Sequence, residues 1–392
     1  MPVMNSIAAL KDEMAEWRRD IHAHPELAFE EHRTSQLVAE KLESWGISVT
    51  RGLGTTGLGG TLEGREPGSQ SIGLRADMDA LPILEENDLP YKSQNNGVMH
   101  ACGHDGHTAI LLGAAKYLAE TRNFKGTVHF IFQPAEEGFA GAKAMIKDGL
   151  FDRFPCDEVS GLHNYPEMDL GTIGVTAGPM MAAADTFDIN INGRGGHGAY
   201  PHGCVDPVLI GSQIVVALQS IIARNANPQK SGVISVTRFL AGEAFNVIPD
   251  TAVLGGTVRT FDPKVQDLIE KRMGEIVTGI AAALGGAAEL VYRRGYPVTV
   301  NNSEKAEVAA SIATGIVGEG MVDRDLDPVM GAEDFSYMLN EKPGCYIWLG
   351  QRGEGSGEGS LHHPKYNFND DALPIGASYF ASLVEERMTT SA

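Results

Sequence analysis

Val128-His129-Phe130-Ile131-Phe132-Gln133-Pro134-Ala135-Glu136-Glu137 is an apolar run of strand length that breaks at a proline and delivers two adjacent carboxylates. Five residues rich in β-branched and aromatic side chains, closed by Pro, read as a buried strand. The same rhythm extends outward in both directions. Residues 71–76 form a second such run and 158–163 a third, with helical spacing expected over about 106–120 and 141–148. Strands that alternate with helices predict an α/β domain with a largely parallel sheet. Upstream, Ile7, Leu10, Met14, Trp17 and Ile21 recur at helical spacing and stop before Pro25, and Leu37, Val38, Leu42 and Trp45 form a second stripe stopped by Gly46.

After Gly178 and Pro179 the rhythm changes. The stretch 185–294 reads strand (187–191), helix (206–224), strand (233–240), strand (251–260), helix (264–284), strand (289–294). That βαββαβ order is the ferredoxin-like pattern, so 185–294 is expected to be a domain inserted into the α/β chain, whose parts are 1–184 and 295–392. A helix (304–317), a strand (345–349), a glycine-rich loop (350–359) and a final helix (373–387) complete the outer domain.

The 392 residues exceed twice the usual single-domain length, and 43% hydrophobic with 21% charged residues is ordinary globular usage. The balance of 31 basic against 51 acidic residues, a formal charge of −20, repels polyanions, so nucleic acid is not an expected partner. Charges throughout the first thirty residues leave no signal-peptide core, and no run approaches a membrane span. With Cys102, Cys156, Cys204 and Cys345 widely spaced, a cytoplasmic, reduced protein without disulfides is expected.

Ligands gather outside the carboxyl ends of strands in open α/β sheets. Here those ends lead into Asp77 and Asp79, into Glu136 and Glu137, and into His163, while Met99-His100-Ala101-Cys102-Gly103-His104-Asp105-Gly106-His107 precedes a helix. Carboxylate, thiolate and imidazole together suit Zn, Mn, Co or Ni rather than Mg or Ca. Adjacent glutamates at a strand end point in different directions, so one can ligate metal while its neighbour reaches a water polarised there. The expected chemistry is metal-assisted hydrolysis of an amide.

The runs Arg75-Ala76-Asp77-Met78-Asp79-Ala80-Leu81-Pro82, Met99 to His107, Gln133 to Gly138, Gly195-Gly196-His197-Gly198-Ala199-Tyr200-Pro201-His202, Asn246-Val247-Ile248-Pro249-Asp250 and Gly331-Ala332-Glu333-Asp334-Phe335 resemble the M20-type metallo-amidohydrolases. That family includes hippurate hydrolase, the indole-3-acetyl-amino-acid hydrolases and N-acetyldiaminopimelate deacetylase, within the wider aminoacylase and carboxypeptidase superfamily. The resemblance implies a site for two divalent ions, Mn or Zn first and Co or Ni next, held by Cys102, His104, Glu137, His163 and His362, with Glu136 as general base and acid. His363 beside His362 stands where a small polar residue is more usual. Asp77, with Asp79 as second choice, resembles the carboxylate that orients a ligand.

The resemblance also implies that the insert is a lid and dimerisation domain, giving a homodimer or higher homo-oligomer. His197 would approach the neighbouring active site and stabilise an oxyanion. Asn246 and Arg259 would contact the substrate α-carboxylate. The implied substrate is a small N-acyl amino acid, cleaved to a carboxylate and a free amino acid. A carboxypeptidase or dipeptidase on the same scaffold is the nearest alternative, and a non-catalytic metal-dependent binding protein is the next. His22, His24, His100, His107, His202, Cys156, Cys204 and Cys345 are expected to be structural, and the 350–359 loop lacks the Lys-Ser/Thr of a phosphate cradle.

Overall fold

The apolar run at 128–132 is the inner part of a strand, Lys125–Gln133, whose last six residues are all buried. In the computed structural model, which describes residues 3–390, it lies in an eight-stranded sheet. The order is Ser48–Leu53, Gly57–Glu63, Lys125–Gln133, Glu66–Asp77, Glu158–Asp169, Gly344–Arg352, Ile173–Gly174, Val322–Asp323. The four long central strands run parallel. Register sets their ends level: Asp77 pairs with Gln133, Arg75 with Gly161, and Trp348 with His163. Carboxylate and imidazole therefore emerge on one rim.

Two strands at one edge had no counterpart in the sequence reading, because Gly57-Leu58-Gly59-Gly60 looks like a turn. They form an antiparallel hairpin that continues antiparallel onto Lys125–Gln133, making the sheet mixed. The glycine at 59 is needed for packing: a Cβ there would lie 2.4 Å from the Phe154 ring. Helices Lys11–Ala23, His104–Thr121 and Leu373–Arg387 contribute Met14, Ile110, Leu111, Tyr379 and Phe380 to the core beside this sheet, all fully buried.

The chain divides into two compact units, Met1–Gly178 with Val300–Asp327 and Asp334–Ala392, and Pro179–Thr299 with Pro328–Glu333. In the second unit, strands Gly232–Ala241, Thr251–Thr260, Ala183–Asn192 and Ala287–Tyr296 form, in that order, a wholly antiparallel sheet. Its two helices begin at Asp-Pro pairs. Asp206 accepts from the Val208 N–H at 2.8 Å and Asp262 from the Lys264 N–H at 2.8 Å, each satisfying a backbone donor of the first turn. Phe187, Ile189 and Ile191 alternate along one strand, and Val265, Ile269, Met273, Val277 and Ala281 recur every four residues along Pro263–Ala283, so both bury one face.

The expectation that no segment has the length and apolarity of a membrane span needs correction. Pro207–Asn225 meets both criteria. Its face of Ile210, Ile214, Leu218 and Ile221 is spent in the core of this unit.

Candidate metal centre

Gly103 takes a left-handed φ of 96° and ends the loop that carries Cys102, so that the helix starts at His104. A Cβ at Gly103 would lie 2.2 Å from Asn164 Nδ2 and 2.5 Å from Tyr366 Oη. Asn164 in turn donates to the Cys102 carbonyl at 2.6 Å. His104 Nδ1 faces two acceptors, the Asp79 carbonyl at 2.9 Å and Asp79 Oδ1 at 3.3 Å, which places the proton on Nδ1. Its buried Nε2 has no hydrogen-bond partner. His163 donates from Nδ1 to the Asn164 carbonyl at 2.7 Å, and its Nε2 stands 3.4 Å from Cys102 Sγ. In both imidazoles the Nδ1 is thus committed to a backbone or carboxylate acceptor, and the Nε2 is the atom that can ligate once the ring is neutral.

The adjacent glutamates are set by a turn rather than by strand alternation. The strand ends at Gln133, Pro134 offers no N–H, and Ala135 takes φ 54° and ψ 44°, a left-handed conformation that costs a residue with a Cβ about 1–2 kcal/mol. Glu137 departs from helical geometry in the short turn Glu136–Phe139, and a carboxylate oxygen of each glutamate lies within 4.8 Å of the other and of a His104 ring nitrogen. The Glu137 N–H donates to Asp79 Oδ2 at 2.9 Å, and Glu137 Oε1 lies 3.1 Å from His362 Nε2. His362 has φ 64° and is held by its N–H to the Ala101 carbonyl at 2.8 Å. The buried Glu136 accepts a long bond, 3.4 Å, from the Asp334 N–H.

Donor atoms of Cys102, His104 and His163 lie within 4.8 Å of one another, as do those of Cys102, Glu137 and His362, and those of His104, Glu136 and Glu137. Cys102 belongs to two of these groups, so the donors form more than one cluster of the N, O and S ligands that would hold divalent ions. Its thiol is pushed well above the ordinary range by burial and by Glu137, Glu136 and Asp77. Burial disfavours charge on His104, but Asp77, Asp79 and Glu137 outweigh it and raise that imidazole to about 10. Burial, with His107 nearby, holds His163 well below its usual value and keeps it neutral. A buried thiol crowded by carboxylates and an unpartnered imidazole nitrogen are the groups a divalent cation compensates. The residues fit the two ions.

Asp77 and Asp79 divide the supporting work differently from the order of preference drawn from resemblance. Asp79 bonds both His104 and Glu137. Asp77 is 3.7 Å from His104 Nε2 and bonds Arg75 at 2.7 Å and His107 Nδ1 at 2.6 Å. Burial opposes the Asp77 charge, but Arg75, His104 and His107 hold its carboxyl well below the usual range. His107 Nε2 accepts from the Asn164 N–H at 3.0 Å, so both ring nitrogens are occupied. His22 bonds Asp105 at 2.9 Å and lies 3.3 Å from Glu85, whereas His24 bonds the Asp20 carbonyl. Arg75 and Asp334 have no role expected from sequence. Both are fully buried and pair at 3.2 Å, and Gln133 bonds each of them.

In the second unit, His197 is exposed on a two-residue pairing with Val247 and Ile248. Its Nδ1 accepts from the Ala199 N–H at 3.1 Å, and the Gly198 N–H donates to the Asn246 carbonyl, which brings His197 and Asn246 together. Arg259 is not with them. It lies near the far end of Thr251–Thr260, nine residues from Asp250 and so about 30 Å away along the strand, half-buried and bonded to Thr257 and the Val258 carbonyl.

Residues 73–386 match peptidase family M20/M25/M40. The chain belongs to that family. It is 44% identical to the hippurate hydrolase of Campylobacter jejuni over 383 residues, covering 98% of each chain. It is 40% identical to thermostable carboxypeptidase 2 of Saccharolobus solfataricus, covering 97% of this chain and 96% of that one. Among solved structures, the YXEP protein of Bacillus subtilis, a dinuclear metal-binding peptidase from the M20 family, superposes with a TM-score of 0.84 at 36% identity, covering 97% of this chain and 99% of that one.

Proposed function

We propose that this protein hydrolyses the amide bond of an N-acyl amino acid of the hippurate, N-acetyl or indole-acetyl type, releasing a carboxylate and a free amino acid. The observation that carries the reading is the buried Glu136 beside two donor groups joined through Cys102. Cys102, His104, Glu137, His163 and His362 would hold the metals, Mn or Zn first and Co or Ni next, a mixture of N, O and S donors that suits such ions. Bound there, two divalent ions supply Lewis acidity toward the scissile carbonyl and acidify a water. Glu136 removes the proton of the attacking water and returns it to the leaving nitrogen. Asp79 fixes the Nδ1–H tautomer of His104 and the backbone of Glu137, so that the ligands need not reorganise.

His197 stabilises the oxyanion, and Asn246 and Arg259 receive the substrate carboxylate. Because the His197 segment is tied to Asp250 at the start of Thr251–Thr260 while Arg259 lies near the end of that strand, a small substrate cannot meet both from a single subunit. That separation supports a homodimer in which the insert of one subunit, a lid and dimerisation domain, serves the other. The four free cysteines, three of them buried, suit a reducing cytoplasm.

Similarity to a carboxypeptidase keeps peptide hydrolysis as the second reading. The two are separated by product release from N-acetyl, benzoyl and indole-acetyl amino acids and from dipeptides, with metal stripped and with Mn or Zn restored. Metal-dependent cleavage of the acylated compounds is expected. Preference for dipeptides assigns the peptidase reading, and silence across the panel contradicts hydrolysis.

A further inference from the structure

The general base is carried on a strained turn, and the structure shows what holds that turn. Glu31 is fully buried, yet no Lys, Arg or His pairs with it among the described residues. A buried carboxylate without a cation is costly and calls for a compensating role. Its two oxygens are both committed: Oε1 accepts the Ala135 N–H at 2.8 Å, and Oε2 accepts the Thr56 hydroxyl. Ala135 is the left-handed residue directly before Glu136.

Glu31 is itself held rigidly. Glu26 accepts the Arg33 and Thr34 N–H groups at 2.8 Å each, which satisfies the first turn of His32–Ser44, and the Glu26 carbonyl accepts the Ala80 N–H at 2.8 Å. The segment 26–34 is thereby tied to the chain just beyond Asp79. Burial, with Asp79 nearby, pushes the Glu31 carboxyl up to about 7, as expected for an acid placed there for its acceptor oxygens rather than for an ion pair.

We infer that Glu31 is a positioning residue for hydrolysis: by accepting the Ala135 N–H it locks the left-handed turn that sets Glu136 and Glu137 beside His104. The inference rests on the hydrolytic reading of Glu136 but is tested separately from it. The measurement is kcat, KM, metal content and melting temperature for the metal-loaded wild type and for Glu31→Ala, Glu31→Gln and Thr56→Val.

Misplacement of a reacting group by about 1 Å can cost on the order of 100-fold. Glu31→Ala is therefore expected to lose about 10- to 100-fold in kcat with KM and metal content nearly constant. Glu31→Gln keeps an acceptor for Ala135 and should recover most of that loss. Thr56→Val removes one of the two anchors and is expected to cost about threefold to tenfold in kcat; it decides the matter if Glu31→Ala does not fold. Wild-type kcat in a folded, metal-loaded Glu31→Ala or in Thr56→Val overturns the inference, as does a Glu31→Gln variant as impaired as Glu31→Ala. A wild type that hydrolyses no amide overturns the hydrolytic reading instead.

Discussion

Asp77 and Asp79 are two residues apart and chemically identical, yet the hydrogen bonds give them different tasks. Asp79 touches His104 and Glu137, two groups that would hold metal, whereas Asp77 neutralises the buried Arg75 and orients His107. Asp79→Asn is expected to weaken metal affinity roughly 10- to 100-fold with little change in melting temperature. Asp77→Asn is expected to cost about 3 kcal/mol of stability, because Arg75 loses a charged partner where water cannot replace it. Metal titration and denaturant unfolding of both variants check this. A larger loss of affinity in Asp77→Asn than in Asp79→Asn would reverse the assignment.

At the scale of the element, the decisive piece is the junction between the Cys102 loop and the helix His104–Thr121. Gly103 sets it by its left-handed φ and by the closeness of Asn164 and Tyr366. Gly103→Ala combines backbone strain with a side chain driven into that pair, so a loss of at least about 2–3 kcal/mol and defective metal loading are expected. A folded Gly103→Ala with wild-type metal content contradicts this. Much of the element order was legible in the sequence: continuous apolar runs marked the central strands. The strand Gly57–Glu63, next to the edge, was hidden by its glycines, of which Gly59 is required for close approach to Phe154. The turn at Ala135 was hidden as well, because an alanine at φ 54° leaves no mark in sequence and depends on the remote Glu31. The residue types of the candidate metal cluster were visible, but the hydrogen bonds that tie Asp79 to His104 and Glu137, and Asp77 to Arg75 and His107, were not.

At the scale of the whole molecule, stability and chemistry draw on different ionisable groups. His129, on the strand Lys125–Gln133, is buried against Thr61 and Phe154, and burial lowers it to about 4 from an ordinary value near 6.5. The unfolded chain therefore binds the proton first on acidification. This group costs nothing above pH 6.5, and it removes stability as the pH falls from 6.5 to about 4, on the order of 3 kcal/mol in total. His129→Gln should show a shallower fall in unfolding free energy across that window than the wild type, and parallel curves would contradict the assignment. In the proposed function catalysis instead depends on Glu136, and that role is the central claim. The direct test is Glu136→Ala, read as turnover of an N-acyl amino acid together with bound metal per chain. Removing a general base is expected to lower kcat by roughly 10²- to 10⁴-fold while both metals remain. Turnover near the wild-type rate in the metal-loaded variant would contradict the account.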